Sequence, residues 1–291
     1  MARRDLANLD RDMNQSLGRI INEYYRDGST GQVISEGGLI PGGSAQDIFE
    51  VSATQNYLLG TKLEKDGAVY RYAKTDTGTA LVAGNLLESA AYGGGSITTE
   101  QDLTVATASE DEDTFAYGTL KSSGATAANA FAEGFYIAHG TASAGGGQIM
   151  KIASHAASTG TTSVKFNLEE ALPVGVSTGA TATILANPFK AVKKTAATTA
   201  VGTVVGIPRV AVPVATPYFW AQRKGFCACL NSSGTATTIG KKLHRDLVTA
   251  GCCVIDNNST GAPTAILTET IGYAAIPAAV STYAGIYLEL E

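Results

Sequence analysis

Along most of this chain the apolar residues come in short runs, set apart by clusters of Gly, Ser, Thr and Asn. Val69-Tyr70-Arg71-Tyr72 and Ile286-Tyr287-Leu288-Glu289-Leu290 are typical. Runs of this length, rich in β-branched and aromatic residues and bounded by turn formers, read as strands. The pattern predicts strands over 68–74, 103–106, 135–138, 149–153, 163–168 and 182–185. Turns fall at Gly67, Gly134, Gly145-Gly146-Gly147, Gly160 and Gly179, and residues 125–132 could form a helical turn or two. Further strands are expected over 218–224, 225–230, 237–243, 248–255, 265–276 and 285–290. Pro208, Pro213 and Pro217 mark the entrance to this second set, because Pro cannot donate to a strand ladder. No helical pattern of about 10–15 residues alternates with the strands, which argues against a parallel α/β sheet.

The N-terminus has a different period. Leu6, Leu9, Met13, Leu17, Ile20, Ile21 and Tyr24 recur at spacings of three and four, the single apolar stripe of an amphipathic helix. Asp5 or Asn8 can cap its start and Gly28 suits its end. Residues 28–44 are Gly- and Ser-rich without a period and read as a linker or extended arm. The stripe needs a partner, either the chain's own β domain or a neighbouring subunit, so these seven residues are the candidate subunit contacts. The expected architecture is all-β: two small β-barrel or sandwich modules with an N-terminal amphipathic helix and extended arm. Residues 1–49 are the helix and arm, 50–205 a β-rich domain and 206–291 a C-terminal β domain.

A weak internal similarity links the two β regions. Residues 67–86 give a strand, then Thr-Gly-Thr-Ala at 77–80, then Val82-Ala83-Gly84-Asn85-Leu86. Residues 225–243 give a strand, then Ser-Gly-Thr-Ala at 233–236, then Ile239-Gly240-Lys241-Lys242-Leu243. A Gly at this place permits a tight bend with positive φ before a Leu returns to the core. On this reading Ile239 and Ile271 point inward next to the bends at Gly240 and Gly272.

Composition narrows the function. Only 16% of residues are charged and His numbers 3, against about 25% charged in an average domain. Few side chains can serve as acid, base or ligand, which moves the expectation from enzyme to structural protein. A net charge of -5 does not suit a nucleic-acid partner. No apolar run approaches the roughly 18 residues of a membrane span. No apolar stretch follows Arg3-Arg4, so a cytoplasmic origin is expected.

Cys227, Cys229, Cys252 and Cys253 have spacings unlike structural zinc sites and are expected to be reduced and free of metal, a disulfide being the lesser alternative. His139, His155 and His244 are scattered, and no nucleophile elbow, zinc-protease or phosphate-loop motif occurs. The acidic run Glu110-Asp111-Glu112-Asp113 lacks the alternation of a calcium loop and reads as solvated surface. No catalytic residue, cofactor or metal is expected.

The last third carries a resemblance. Its order is Tyr218-Phe219-Trp220-Ala221-Gln222, Gly225, Gly240-Lys241-Lys242-Leu243, Ile271-Gly272-Tyr273-Ala274-Ala275, and a final strand from Gly285 to Leu290. This resembles the head-decoration, or capsid cement, proteins of tailed bacteriophages. Gly146-Gly147-Gln148-Ile149 and Asn187-Pro188-Phe189 look like segments of phage virion structural proteins more loosely. The resemblance implies a small β-clip or β-tulip fold, a homotrimer, the major capsid protein as partner and a place on the virion capsid surface. A tail or fibre protein is one alternative. The other is a carbohydrate-binding β module in which Tyr70, Tyr72, Tyr218 and Trp220 stack on sugars.

Overall fold

The computed structural model describes residues 25–26, 33–35, 45–90, 100–120, 126–139, 141, 145–158, 162–198, 202–232, 234–255 and 269–291. Among these, every regular element is a β-strand. The expected helix bearing Leu6, Leu9, Met13, Leu17, Ile20, Ile21 and Tyr24 lies outside the described residues.

The chain begins with β1 (Tyr25–Arg26), β2 (Val33–Ser35), β3 (Lys62–Lys65), β4 (Ala68–Lys74) and β5 (Leu87–Glu88). Six strands follow: β6 (Glu100–Thr104), β7 (Phe115–Leu120), β8 (Phe135–His139), β9 (Ile149–His155), β10 (Ser163–Leu168) and β11 (Thr181–Leu185). The last seven are β12 (Lys193–Lys194), β13 (Val204–Pro208), β14 (Tyr218–Leu230), β15 (Lys242–Arg245), β16 (Cys253–Ile255), β17 (Thr270–Ile276) and β18 (Tyr283–Glu289). The chain is all-β with two modules, a closed barrel and a curled sheet.

The barrel closes in the order β10-β7-β6-β11-β8-β9. Closure leaves no edge strand. Inward residues such as Leu103, Ala116, Tyr136, Ile152, Phe166 and Ile184 fill it, and their alternation with outward residues along β7, β9 and β10 is the period that predicts strands. Residues 126–134 form turns, with Asn129 and Glu133 at positive φ, in place of a helical turn.

The curled sheet takes strands from both sides of the barrel, in the order β1-β2-β3-β4-β14-β18-β17-β15-β16, with β5, β12 and β13 branching from β14. The boundary expected between 205 and 206 therefore falls inside β13. The barrel is inserted between β5 and β12, which pair with each other. Part of the expected arm is a strand, since β2 pairs with both β1 and β3. The two strands expected over 218–224 and 225–230 are one, β14. A register shift between Gln222 and Lys224, with Gly225 at φ +96°, bends it in the middle.

That bend separates two copies of one unit. In the first repeat, β4 pairs the N-terminal half of β14, which pairs β13, which pairs β5, which pairs β12. In the second, the C-terminal half of β14 pairs β18, which pairs β17, which pairs β15, which pairs β16. The hydrogen bonds repeat atom for atom. Gly84 N donates to Pro208 O at 2.9 Å, and Gly240 N to Ala274 O at 2.8 Å. Thr75 N donates to Pro217 O, and Asn231 N to Thr282 O. Isolated parallel bridges join Thr75 to Val192 and Asn231 to Cys253. Leu87 faces Gly206 and Leu243 faces Gly272, each beside a register shift.

The cores correspond too. Ala73, Leu87, Val192, Val205, Phe219 and Ala221 line the first. Their counterparts Cys229, Leu243, Cys253, Ile271, Ala284 and Ile286 line the second. Ile271 is inward as expected, whereas Ile239 is 64% exposed and Val82 is 55% exposed. The bend turns the β-branched side chain out and returns the chain to the core at the Leu.

Candidate interaction surface

Sheet alternation gives each repeat an outer face. In the second repeat one row crosses four strands. Phe226 on β14 pairs Tyr287 on β18, Tyr287 pairs Tyr273 on β17, and Tyr273 pairs Lys242 on β15. Phe226 is 71% exposed, Tyr273 38% and nearby Ile276 63%. Tyr283 and Val280 in the same repeat are also exposed. The Phe226 and Tyr287 rings meet edge to face at 5.1 Å, the aromatic cross-strand pairing that stabilises sheets.

The same row in the first repeat is Tyr70, Gln222, Ile207 and Leu86, all buried. Ile207, Leu86 and Val204 pack into the core of the second repeat. Tyr70, with Tyr72 and Trp220, is covered by the segment before β4, through Ile48, Tyr57, Leu59 and Leu63. Polar ties hold that cover in place. Trp220 Nε1 donates to Gln46 O at 2.9 Å, Tyr72 Oη donates to Gln46 Oε1 at 2.8 Å, and Asn56 N donates to Tyr72 Oη at 3.1 Å. The cover is also fixed to the barrel, because the Glu133 carboxylate accepts Leu59 N at 2.6 Å and Gln55 Nε2 at 2.8 Å. Asn187 Nδ2 closes this seam onto Leu59 O and Glu133 O.

The aromatic set expected to stack on sugars is thereby accounted for differently. Tyr70, Tyr72 and Trp220 are core residues, and Tyr218 is half-buried, stacked on Tyr72 at 6.1 Å. The exposed Phe226–Tyr287 pair has an interplanar angle of 78°, so it does not offer a sugar ring two coplanar faces.

A buried ion pair ties the repeats together. Arg245 on β15 donates to Glu88 Oε2 on β5 at 2.9 Å, and both side chains are fully buried. Arg245 also donates to Gly202 O and to Glu269 Oε1. Glu88 Oε1 accepts Ala196 N at 3.2 Å.

Cys229, Cys252 and Cys253 are buried and Cys227 is partly buried. Burial pushes Cys227 up to about 12 and Cys252 up to about 11, and a hydrogen bond to Cys253 together with burial raises Cys229. All four are unbridged. Among the described residues, no cluster of three or more His, Cys, Asp or Glu is arranged for a metal ion, and no helix is long and apolar enough to cross a membrane.

The histidines have structural partners. His155 is buried beside Phe131 and Phe166; its Nε2 accepts Phe131 N at 3.0 Å while its Nδ1 contacts Ala156 O at 2.8 Å. Burial lowers its pKa. His139 Nε2 lies 2.8 Å from Thr183 Oγ1, whose hydroxyl donates to Asp102 Oδ1 at 3.0 Å. The acidic run folds on itself and its neighbour, Asp113 accepting Glu110 N and Asp111 accepting Gly175 N. Comparisons with family models, curated proteins and solved structures return no match for this chain.

Proposed function

We propose that this chain is a non-enzymatic structural protein of a tailed-phage virion, working in multiple copies as a cement on the capsid surface. The observation that carries the reading is the bare aromatic row of the second repeat. Its counterpart in the first repeat is buried, and an exposed apolar patch of this kind marks an interaction surface. The sequence resemblance to head-decoration proteins supplies the setting: synthesis in the host cytoplasm and the major capsid protein and further copies of the chain, as a trimer, for partners. Such a clamp acts mechanically. Several modest contacts, linked in one oligomer, engage together and hold far more tightly than any one of them.

The test is attachment to shells. Purified protein mixed with expanded capsids should co-sediment saturably and appear by electron microscopy at fixed positions between capsomers. Protein that stays in the supernatant at saturating concentration would exclude the cement reading.

A further inference from the structure

The barrel stands where the second repeat has only a turn. β5 and β12 pair Leu87 with Lys194 and Glu88 with Lys193, just as β15 and β16 pair Leu243 with Ile255 and His244 with Val254. In the second repeat residues 246–252 join the two strands, closed by Asp246 N donating to Cys252 O at 3.0 Å. In the first repeat the barrel joins them. We infer that the barrel is a self-contained domain carried on this strand pair and seated against the sheet by a polar latch at Glu133, so that breaking the latch lets it move as a separate body while both modules stay folded. This goes beyond the proposed function and does not depend on it.

Three observations support it. First, the barrel has its own core. Among the described residues, its buried cluster is drawn wholly from 103–186, and none of these residues joins the clusters of the sheet. The barrel is closed, so its ladder does not continue into the sheet. The extensive strand-to-strand contacts stay within one module or the other.

Second, the seam is polar and local. Hydrogen bonds across it gather at residues 129–133. The Glu133 carboxylate holds Leu59 N and Gln55 Nε2. Asn187 Nδ2 donates to Glu133 O at 2.9 Å and to Leu59 O at 3.2 Å. Lys190 Nζ donates to Asn129 O at 3.2 Å and to Ala130 O. Contacts between domains of one chain are typically of this polar kind, and relative motion is their default unless a large apolar interface prevents it.

Third, Glu133 is held where a glutamate rarely goes. Its φ is +63°, a left-handed conformation that costs an L residue roughly 1–2 kcal/mol. Strain of this kind persists only where the surroundings fix it. Here the carboxylate's two bonds to the cover supply that constraint.

The experiment uses the full chain. Trp220 is the single tryptophan and lies in the core beneath the cover, so its fluorescence reports the sheet. Calorimetry reports both modules. Phe166→Ala leaves a gap in the barrel core and should lower the barrel transition by about 5 °C or more, while the Trp220 midpoint stays that of the parent. A Trp220 midpoint that falls with the barrel would overturn the separate domain. Glu133→Gly removes the carboxylate and suits the positive φ. It should keep both transitions, enlarge the radius of gyration in small-angle scattering, and speed trypsin cleavage after Lys190 at least about tenfold. Asn187→Ala is the second latch variant and should loosen the seam in the same direction. Parental scattering or parental cleavage in both latch variants would overturn the latch.

Discussion

The first and second repeats of the curled sheet share strand order, register shifts and hydrogen bonds, yet their outer faces have opposite fates. Tyr70 and Phe226 occupy the same position, opposite Gln222 and Tyr287. One is 1% exposed and the other 71%. The difference arises outside the repeat, in what is laid over it. Some positions have been adapted to solvent: Lys242 and Thr270 stand where the first repeat has Leu86 and Val204. The aromatic positions have not. A face that is polar at its margin and aromatic along one row fits the partner contact proposed above.

The largest expected effect breaks the link between the repeats. Arg245→Leu leaves the buried Glu88 carboxyl without its guanidinium partner, which typically costs about 3–5 kcal/mol. Chemical denaturation should show a correspondingly lower midpoint, and an unchanged midpoint would mean that the pair is not closed in solution.

Next comes the comparison itself. Tyr70→Ala removes an aromatic ring from a filled core and should cost about 3–5 kcal/mol. Phe226→Ala, at the matching position, should stay within about 0.5 kcal/mol in the isolated chain, as exposed substitutions do. Equal losses would show that the outer faces are equally covered, and would sharpen the question of by what.

The bend and strand glycines give a third pair. A Cβ on Gly272, at φ +152°, would lie 2.0 Å from Tyr287 O in the adjacent strand. Gly272→Val should cost about 3 kcal/mol, from backbone strain of about 1–2 and overpacking of about 1–3. Gly240 has φ +77° and open space around its missing Cβ, so Gly240→Val should lose only the strain of about 1–2 kcal/mol. Thermal melts that rank Gly240→Val as the worse variant would contradict this geometry.

The smallest expected effect separates barrel from sheet. Burial holds the His155 imidazole below the usual histidine value of about 6.5. The neutral ring's stabilisation is fully present above that value. It is lost as pH falls from there toward the lower folded value, because only the unfolded chain takes up the proton readily. Barrel stability should decline over that acidic window, and His155→Gln should flatten the decline. A slope that survives the substitution would assign it to other groups.

The strand content was legible because alternation is local. The strands over 68–74 and 163–168 match β4 and β10 end to end. The repeat was legible from the Thr-Ala turns and Gly84 and Gly240, whose backbone needs are also local. Missed were β7, whose Phe115 to Leu120 run follows the acidic stretch, and the unity of β14, since Gly225 punctuates the sequence like a strand end while the ladder continues past it. The bare row was missed because Phe226 sits beside small residues in a run that reads as buried.

Local sequence thus determined an all-β chain: the side-chain period, the turn glycines and the paired motifs act over a few residues, and their energetics do not depend on distant partners. Tertiary structure decided that the barrel interrupts the first repeat, because strand partnership joins residues such as Glu88 and Lys193 across the whole barrel. It also decided which of two equivalent faces is buried. Burial is set by whichever surface arrives on top, which the aromatic residues at the matching positions, Tyr70 and Phe226, do not by themselves distinguish.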